Sequence, residues 1–490
     1  MLKKADQLIL ELRRRYWKLL RKKEEETMRD YQIKVEPFAY VALQDMEIHK
    51  GLNCHADAKI TMRIRDDKRE EYLGVLSADT WIKVTAQGEA GMNTDLFCGI
   101  VTDFSMGQDG YETILRLEAK SGTVLMDGKE HFRVFQNKDS SCSLLFNRIT
   151  DSYMGGKVTF TEGENDRTEG VLVQYHETDW TFFKRLSGLH NGYLVPDALQ
   201  KGCAYTVGLP EGMEQKWEMP DITLTLDAHA YQKKAGNGVK GLQMSDMLTL
   251  TVTDREIYRL GDFMRYEGGK YFIYDITTRY IDAECMHEYK LRRKEGLRTL
   301  PTEHQGVAGC SFEAKVTGVQ KDTVQVDIAG DEWLAFDGKK WFDYATVYSS
   351  PDGTGWYSMP EVGDTVRLYV PDEESRCLVV SSVHKETDSA RQNPDHKSFK
   401  TKYGKEILFT PDSVLITNNR GMMVEMNDQE GITMTSDKDI LIQAENNMTI
   451  ASGASSLLIA AEDIVQVKQG GTTMTLSEDI YFTGGEFRIQ

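Results

Sequence analysis

The chain has 490 residues, 40% of them hydrophobic and 10% aromatic, so it is long enough for about three or four domains with cores of their own. Its 77 acidic residues outnumber its 59 basic ones. The net charge of −18 argues against nucleic-acid binding or a basic membrane-docking surface over most of the chain. The seven cysteines are scattered without a C-x-x-C pair, which excludes an obvious disulfide framework or zinc knuckle.

The first 30 residues are helical in composition and more basic than the rest. Their charged start lacks the apolar stretch of a signal peptide, so we expect synthesis in the cytoplasm without a secretory leader. We predict a short amphipathic α-helix over residues 1–30, which packs on its own domain, joins an oligomer axis or docks a partner. A membrane-surface helix is less favoured, because an acidic cluster would oppose anionic lipid. The apolar seam that predicts this helix consists of Leu2, Ala5, Ile9, Leu12, Tyr16 and Leu19.

The middle of the chain predicts small β-barrels. Stretches such as "AKITMRIRD" and "WIKVTAQGE" alternate polar and apolar residues, as half-buried strands do, and predict a first barrel over residues 31–135. Residues 136–205 predict a mixed α/β segment with two helices around the strand "GVLVQYHE". Alternation returns over residues 206–300 and predicts a second barrel. Residues 301–385 predict five strands of an OB-type barrel, and residues 386–399 a polar linker.

Residues 400–490 carry a regular repeat. The repeat predicts eleven short strands that begin, on average, eight residues apart, and most have a second apolar residue two positions after the first. Alternate residues of a strand share a face, so each strand buries about two side chains. The leading apolar residues are Ile407, Val414, Val424, Ile432, Ile440, Met448, Leu457, Val465, Met474, Ile480 and Phe487.

Strands this short cannot enclose a core within one chain, because single-chain solenoids usually need coils of about 20 residues or more. Three chains wound about one axis would pair every strand edge and hide the apolar residues. The repeat therefore predicts an intertwined trimeric β-helix on the order of 50 Å long at ~4.7 Å per strand. A plain antiparallel meander is the alternative.

Two segments resemble a known family. "VLVQYHETDWTFFKRLSGLHNGYLVPD" (171–197) is similar to a segment of the VgrG, late-control and tail-hub proteins of contractile injection systems. "FKTKYGKEILFTPD", which opens the repeat, resembles the entry to their spike β-helix. The residues that carry the first likeness are Gln174, Tyr175, Glu177, Asp179, Trp180, Phe182, Arg185 and Leu186.

The resemblance implies a mainly β homotrimer that caps a tail tube with a piercing needle. Two related barrels per chain would give it a pseudo-sixfold ring that adapts a six-fold tube to a three-fold spike. Implied partners are a tail tube or tube-initiator protein and baseplate proteins, and a PAAR-like tip protein at the C-terminal apex is the matching hypothesis. The N-terminal helix lies outside the resemblance, and a tape-measure or cargo protein would be its partner if it faces the tube lumen. No His follows His396, so we expect no metal at this tip. We also expect no cofactor. Phage tail, bacteriocin, type VI system and extracellular injection particle all stay open.

The alternative function is a tail-associated cell-wall glycan hydrolase that uses Glu177 and Asp179. Carboxylate pairs hydrolyse glycosidic bonds, and alternate residues of a strand share a face. Aromatic neighbours favour a structural role instead, with the carboxylates capping the next helix or pairing with Arg185. We therefore predict a non-enzymatic protein. A saccharide-binding fibre is disfavoured, because no aromatic residue lies between positions 410 and 480.

Overall fold

The fold was obtained as a computed structural model that describes residues 31–88, 93–217, 221–334, 336–384 and 391–483. The predicted N-terminal helix and the predicted strand at Phe487 lie outside these residues. The chain divides into two units, residues 1–384 and residues 385–490, which are described separately. The mainly β fold predicted from the sequence is confirmed.

An eleven-stranded antiparallel sheet dominates the first unit. Its order is β1-β4-β5-β6-β3-β2-β15-β16-β13-β12, with β14 paired to β15. Alternation forms these strands: in β3, Ala58, Ile60, Met62 and Ile64 point into the core. The strands from the first predicted barrel are β1 (Gln32–Glu36), β2 (Ala42–Gly51), β3 (Asp57–Ile64), β4 (Trp81–Gln87), β5 (Asn93–Asp109) and β6 (Glu112–Lys120).

The two predicted barrel regions are not separate sheets, because β2 pairs with β15 from Met46 opposite Tyr280 to Gly51 opposite Asp275. The second region also contains a helix where the sequence predicts only strands: α4 (Ala228–Gly236) begins after Asp227, whose side chain accepts a hydrogen bond from the Ala230 N–H. The strands from the second region are β12 (Ile222–Leu226), β13 (Leu248–Asp254), β14 (Phe263–Tyr266), β15 (Gly269–Ile281) and β16 (Glu284–Arg292).

The mixed segment lies in sequence between β6 of the first barrel region and β12 of the second. It has α2 (Cys142–Thr150) and α3 (Asp179–Gly188), both predicted, and a core of aromatic side chains. Helices α1 (Arg69–Val75) and α5 (Lys294–Leu297) were not predicted. Strands β7 (Glu130–Phe135) and β9 (Leu172–Thr178) pair with each other, and a small sheet contains β8 (Lys157–Phe160), β10 (Leu194–Pro196) and β11 (Ala204–Val207).

The OB-type unit is a five-stranded sheet in the order β19-β18-β17-β20-β21. A parallel bridge between Tyr344 and Val379 joins its two edges, so the sheet curls around a core made mostly of valines. Its strands are β17 (Ser311–Gln320), β18 (Thr323–Ile328), β19 (Phe342–Asp343), β20 (Thr365–Tyr369) and β21 (Leu378–Ser382). Short 3-10 helices in the first unit are Asp66–Lys68, Gly122–Asp127, Met244–Met247, Gln305–Val307 and Glu374–Arg376.

The second unit contains two antiparallel sheets of short strands, each paired with its neighbours in sequence. Strand β22 begins within the predicted linker, whose end is therefore extended. No strand is assigned in residues 436–464, where the sequence predicts strands at Ile440, Met448 and Leu457, because no partner within the described chain pairs with them. The strands are β22 (Lys397–Lys400), β23 (Glu406–Phe409), β24 (Ser413–Thr417), β25 (Met423–Asn427), β26 (Gly431–Thr435), β27 (Val465–Gln469), β28 (Thr472–Leu476) and β29 (Ile480–Thr483).

Candidate functional site: a buried charged network around the ETDW segment

We call the stretch around Glu177–Trp180 the ETDW segment. The predicted motif residues lie here, where β9 ends and α3 begins. Thr178 caps the helix, because its hydroxyl accepts a hydrogen bond from the Thr181 N–H at 3.3 Å. A single cap residue thus fixes the turn between the two carboxylates of the motif. The motif side chains Gln174, Glu177, Asp179, Trp180, Phe182 and Arg185 are all buried.

Asp179 is the centre of the first half of the network. Its Oδ1 accepts hydrogen bonds from Arg133 Nη1 at 2.6 Å and from Gln174 Nε2 at 2.8 Å, and its Oδ2 accepts one from the Tyr153 hydroxyl at 2.7 Å. Burial and this bond raise the pKa of Tyr153 well above its ordinary value, so the phenol keeps its proton and donates. Arg133 lies on β7, opposite Gln174 in register. Three donors therefore converge on one fully buried carboxylate.

Arg185 is the centre of the second half. Its Nε and Nη2 bind the two oxygens of Glu177 at 3.1 Å and 2.9 Å, a bidentate ion pair. Its Nη1 donates to Glu374 Oε2 at 2.8 Å, and its Nη2 also donates to the Val173 carbonyl at 3.0 Å. Burial acts to lower the pKa of Arg185, but the carboxylates of Glu374 and Glu177 raise it above its ordinary value. The guanidinium thus joins α3 to β9 and to the OB-type unit.

Both halves of the network reach into the OB-type unit. Besides Glu374, Glu332 binds His131 Nδ1 at 2.8 Å, and the Arg133 guanidinium lies 4.5 Å from the centre of a Trp333 ring. Valines of β7 and β9 belong to the same hydrophobic core as the OB-type strands. The ETDW segment and its partners therefore connect the mixed segment to the OB-type unit through ion pairs and a shared core.

The aromatic residues of the motif make further contacts. Trp180 lies 5.1 Å from the ring of His55, which follows β2 in the large sheet, and Phe182 stacks on Phe135 at 5.2 Å. His55 Nε2 also binds Asp127 at 2.8 Å. The motif thus contacts the large sheet region as well as the OB-type unit, as a structural joint would.

From the sequence, both members of the Glu177–Arg185 pair were named, but only Asp179 of the Asp179–Arg133 pair and only Arg185 of the Arg185–Glu374 pair. Arg133, Tyr153, Glu332 and Glu374 lie far from the motif in sequence, and no local pattern marks them. The structure brings Glu177 to Arg185, the pairing considered from the sequence, whereas Asp179 binds Arg133 and Thr178 supplies the helix cap.

A cleft of about 840 Å³ opens beside Glu177 and is lined by polar side chains, including Lys184, Glu303 and His304. Both Glu177 oxygens face Arg185, and His304 binds the Tyr175 carbonyl at 2.8 Å. Within the described residues, no group of three or more His, Cys, Asp or Glu side chains is arranged to hold a metal. The Glu177 carboxylate in this cleft is therefore engaged by Arg185, and the described residues of the cleft form no metal centre. No helix in the described part of the chain has the length and apolar character to cross a membrane.

We expect stability to depend on the protonation of Glu374. Burial raises its pKa to about 7, although Arg185 opposes the shift. The pKa of Glu374 is higher in the folded state than in the unfolded state, so protonation of Glu374 stabilises the fold. This contribution to the free energy of unfolding is fully present below about pH 4.5 and is lost as the pH rises through 7. Urea unfolding at pH 5 and pH 8 should show the parent losing up to about 3 kcal/mol more than Glu374→Gln over this interval. Glu373→Gln, at the exposed neighbouring position, should follow the parent. Parallel profiles for the parent and Glu374→Gln would contradict the assignment.

Comparison with known proteins places this geometry in context. The family model described as "Phage tail baseplate hub (GPD)" matches residues 52–190, which include the ETDW segment. No curated protein matches the chain.

Solved structures share the fold at low identity. One is the E. coli c3393 protein, described as a component of the type VI secretion system with structural similarity to T4 bacteriophage tail proteins gp27 and gp5. It aligns with a TM-score of 0.50 and 12% identity over 72% of this chain and 100% of that one. A Francisella PdpA-VgrG complex (lidded) gives 0.55 and 10% identity over 81% of this chain and 76% of that one. The lidless PdpA-VgrG complex gives 0.53 and 10% identity over 83% and 99%. The predicted resemblance to the VgrG and tail-hub family is therefore confirmed, by the match over residues 52–190 and by the shared fold.

Proposed function

We propose that this protein is the structural hub–spike of a contractile injection machine. It would act as a homotrimer at the distal end of the tail tube, and sheath contraction would drive its C-terminal needle through a target envelope. The energy for this work comes from the sheath, so the protein itself needs no active site.

The observation that carries the proposal is the apolar character of residues 436–464 without pairing inside the chain. The side chains of Ile442, Ile450 and Ile459 are 62–66% exposed in the single chain. In the sequence, apolar residues recur two positions apart here as in the flanking strands, yet no strand within the described residues pairs with this stretch. Exposed isoleucines cost free energy, and open backbone edges are free to pair with other strands. Three intertwined copies would bury the isoleucines and pair the edges.

The preceding sheet supports the same proposal. Strands β22–β26 form a single layer, and its apolar side lines a groove of about 530 Å³ that includes Ile407, Ile416 and Met434. A single-layer sheet needs a second layer to bury its apolar face. We propose that two further copies supply it.

The hub would match the six-fold symmetry of a tail tube to the three-fold symmetry of the spike. Each chain contributes strands from two barrel regions to one sheet, so three copies would present six similar sets of strands to a six-fold tube protein. We propose contacts with tube or tube-initiator and baseplate proteins on that side. At the other end, a PAAR-like protein would cover the strand edges of the apex, and residues 1–30 would bind a tape-measure or cargo protein.

The mass of the protein in solution tests the trimer. We expect sedimentation equilibrium to give about three times 55.7 kDa at micromolar concentration, because the rod forms only when three chains meet. Dilution should not yield a folded rod in a single chain. A mass of 55.7 kDa at every concentration would refute the proposed function.

A further inference from the structure

Helices α4 and α5 and the loops beside them carry a patch of basic side chains. The two segments that build it, residues 228–243 and 292–300, contain seven Lys or Arg residues and one acidic residue, in a chain whose net charge is −18. Two of the seven, Arg293 and Lys294, pair with carboxylates at 3.5 Å and 2.6 Å. The other five form no ion pair with another described residue. We call these five the basic face: Lys233, Lys234, Lys240, Arg292 and Arg298.

Contacts between α4, β16 and α5 bring the basic face together. Lys234 Nζ donates a hydrogen bond to the Gly296 carbonyl at 2.9 Å. A Cβ placed on the same glycine would lie 2.9 Å from Cδ of Arg292, so the Arg292 side chain also passes over α5. Arg298, the residue after α5, donates from Nη1 to the Lys240 carbonyl at 3.3 Å. The basic side chains are therefore neighbours in the fold, although about 60 positions separate the two segments.

The surroundings do not cancel the charge of the basic face. Burial and, next, the charge of Arg292 lower the pKa of Lys234 to about 8, and Asp227 opposes them only weakly. The Nε and Nη2 atoms of Arg292 both donate to a neutral atom, Thr249 Oγ1, at 3.1 Å and 2.7 Å. Glu295 is the single acidic side chain of the two segments, and the C-terminal end of α4 adds about half a negative charge. An excess of positive charge therefore stays on this surface.

A short acidic protein segment fits this surface better than a long polyanion does. Screening limits the reach of surface charge to about 8–10 Å, so a short segment meets only the local positive charge. A nucleic acid or an anionic membrane would also meet the rest of a chain with net charge −18. Bases would need exposed rings for stacking, but Tyr231, the one aromatic residue of the two segments, packs on a small apolar core. Met244 is 44% exposed on the 3-10 helix that packs on α4 and α5, and it offers such a segment an apolar contact.

We propose that the basic face binds an acidic segment of a partner protein. Carboxylates of the segment would bind the exposed side chains of Lys233, Lys240 and Arg298. Lys234 and Arg292 are partly buried, and they would add attraction where the charge is less solvated. The site lies within one chain, so the inference does not depend on the proposed trimer.

Fluorescence anisotropy of labelled octaglutamate, titrated with the full-length protein, tests the proposal. The double variant Lys240→Glu with Arg298→Glu should raise the Kd at least about tenfold, because attraction becomes repulsion at two exposed positions. The matched control, Lys138→Glu with Lys315→Glu, changes the net charge by the same amount at two other exposed positions and should stay within about twofold of the parent. All four side chains are exposed, so urea unfolding should give both variants the midpoint of the parent.

The outcomes separate the inference from its rivals and from the proposed function. Equal octaglutamate binding by the two double variants, or parent binding no stronger than that of octaglutamine, would overturn it. Tighter binding of oligothymidylate or of phosphatidylglycerol vesicles, lost in Lys240→Glu with Arg298→Glu, would assign the face to nucleic acid or to lipid instead. A parent that binds no octaglutamate, with a changed solution mass for that variant, would assign it to contact between copies. A monomeric mass of the parent would overturn the proposed function and leave this inference standing.

Discussion

Asp179→Ala should destabilise the first unit by about 3–5 kcal/mol, the range measured when one partner of a buried ion pair is removed. The substitution leaves the Arg133 guanidinium, itself only 5% exposed, without its 2.6 Å partner, and it removes the acceptor of Gln174 and Tyr153. Urea unfolding followed by tryptophan fluorescence measures the loss where it occurs, because Trp180 and Trp333 both lie beside the network.

Two controls define the cause. Asp67→Ala removes an exposed pair with Arg65 and should change stability by no more than about 0.5 kcal/mol. The double variant Arg133→Met with Asp179→Leu replaces the pair by apolar groups and should recover most of the loss, since the cost arises from the unpaired charge. If Asp179→Ala unfolds at the same urea concentration as Asp67→Ala, the network does not hold the joint.

The same measurement separates the two interpretations of the carboxylate pair. A catalytic carboxylate is often unfavourable for stability, so its removal should leave the protein as stable or more stable. A structural carboxylate with three buried donors should behave in the opposite way. The sign of the change therefore distinguishes a joint from an active site without any assumption about substrate.

The sequence predicted the features that depend on nearby residues. Alternation placed β3 and β4, an apolar face placed α2 and α3, and the eight-residue step revealed the repeat. Each of these signals is complete within a few residues, so one segment is enough to recognise it. Helix α4 was missed, although the residue before it, Asp227, is of a type that caps helices.

The features that escaped prediction depend on distant residues. Glu374 is 189 positions from Arg185, and Asp275 on β15 is 226 positions from His49 on β2. A carboxylate on a surface loop and a carboxylate in a buried ion pair look alike in one sequence, because only the fold decides which cation is opposite. The ETDW segment was recognised by resemblance, whereas its role as a joint required the partners.

Replacing inward-facing isoleucines of the repeat should abolish the trimer, whereas replacing the leucines between inward-facing positions should not. In the proposed prism, Ile442 and Ile459 face the axis, and Leu441 and Leu458 face water. The double variant Ile442→Asp with Ile459→Asp removes six isoleucines per trimer, roughly 9–18 kcal/mol of association free energy, and places like charges at the axis. Sedimentation should show a shift from the trimeric mass toward 55.7 kDa.

The matched variant Leu441→Asp with Leu458→Asp makes the prediction sharp. All four side chains are exposed in a single chain, the leucines at 85–86% and the isoleucines at 66%. A monomeric meander would therefore tolerate both double variants equally, because in neither case is a buried side chain lost. The two double variants can differ only if the isoleucines are buried in a core and the leucines face water. A single chain of such short strands encloses no core. Unequal effects on the mass would therefore require additional copies along this stretch, and equal effects would contradict the three-chain rod.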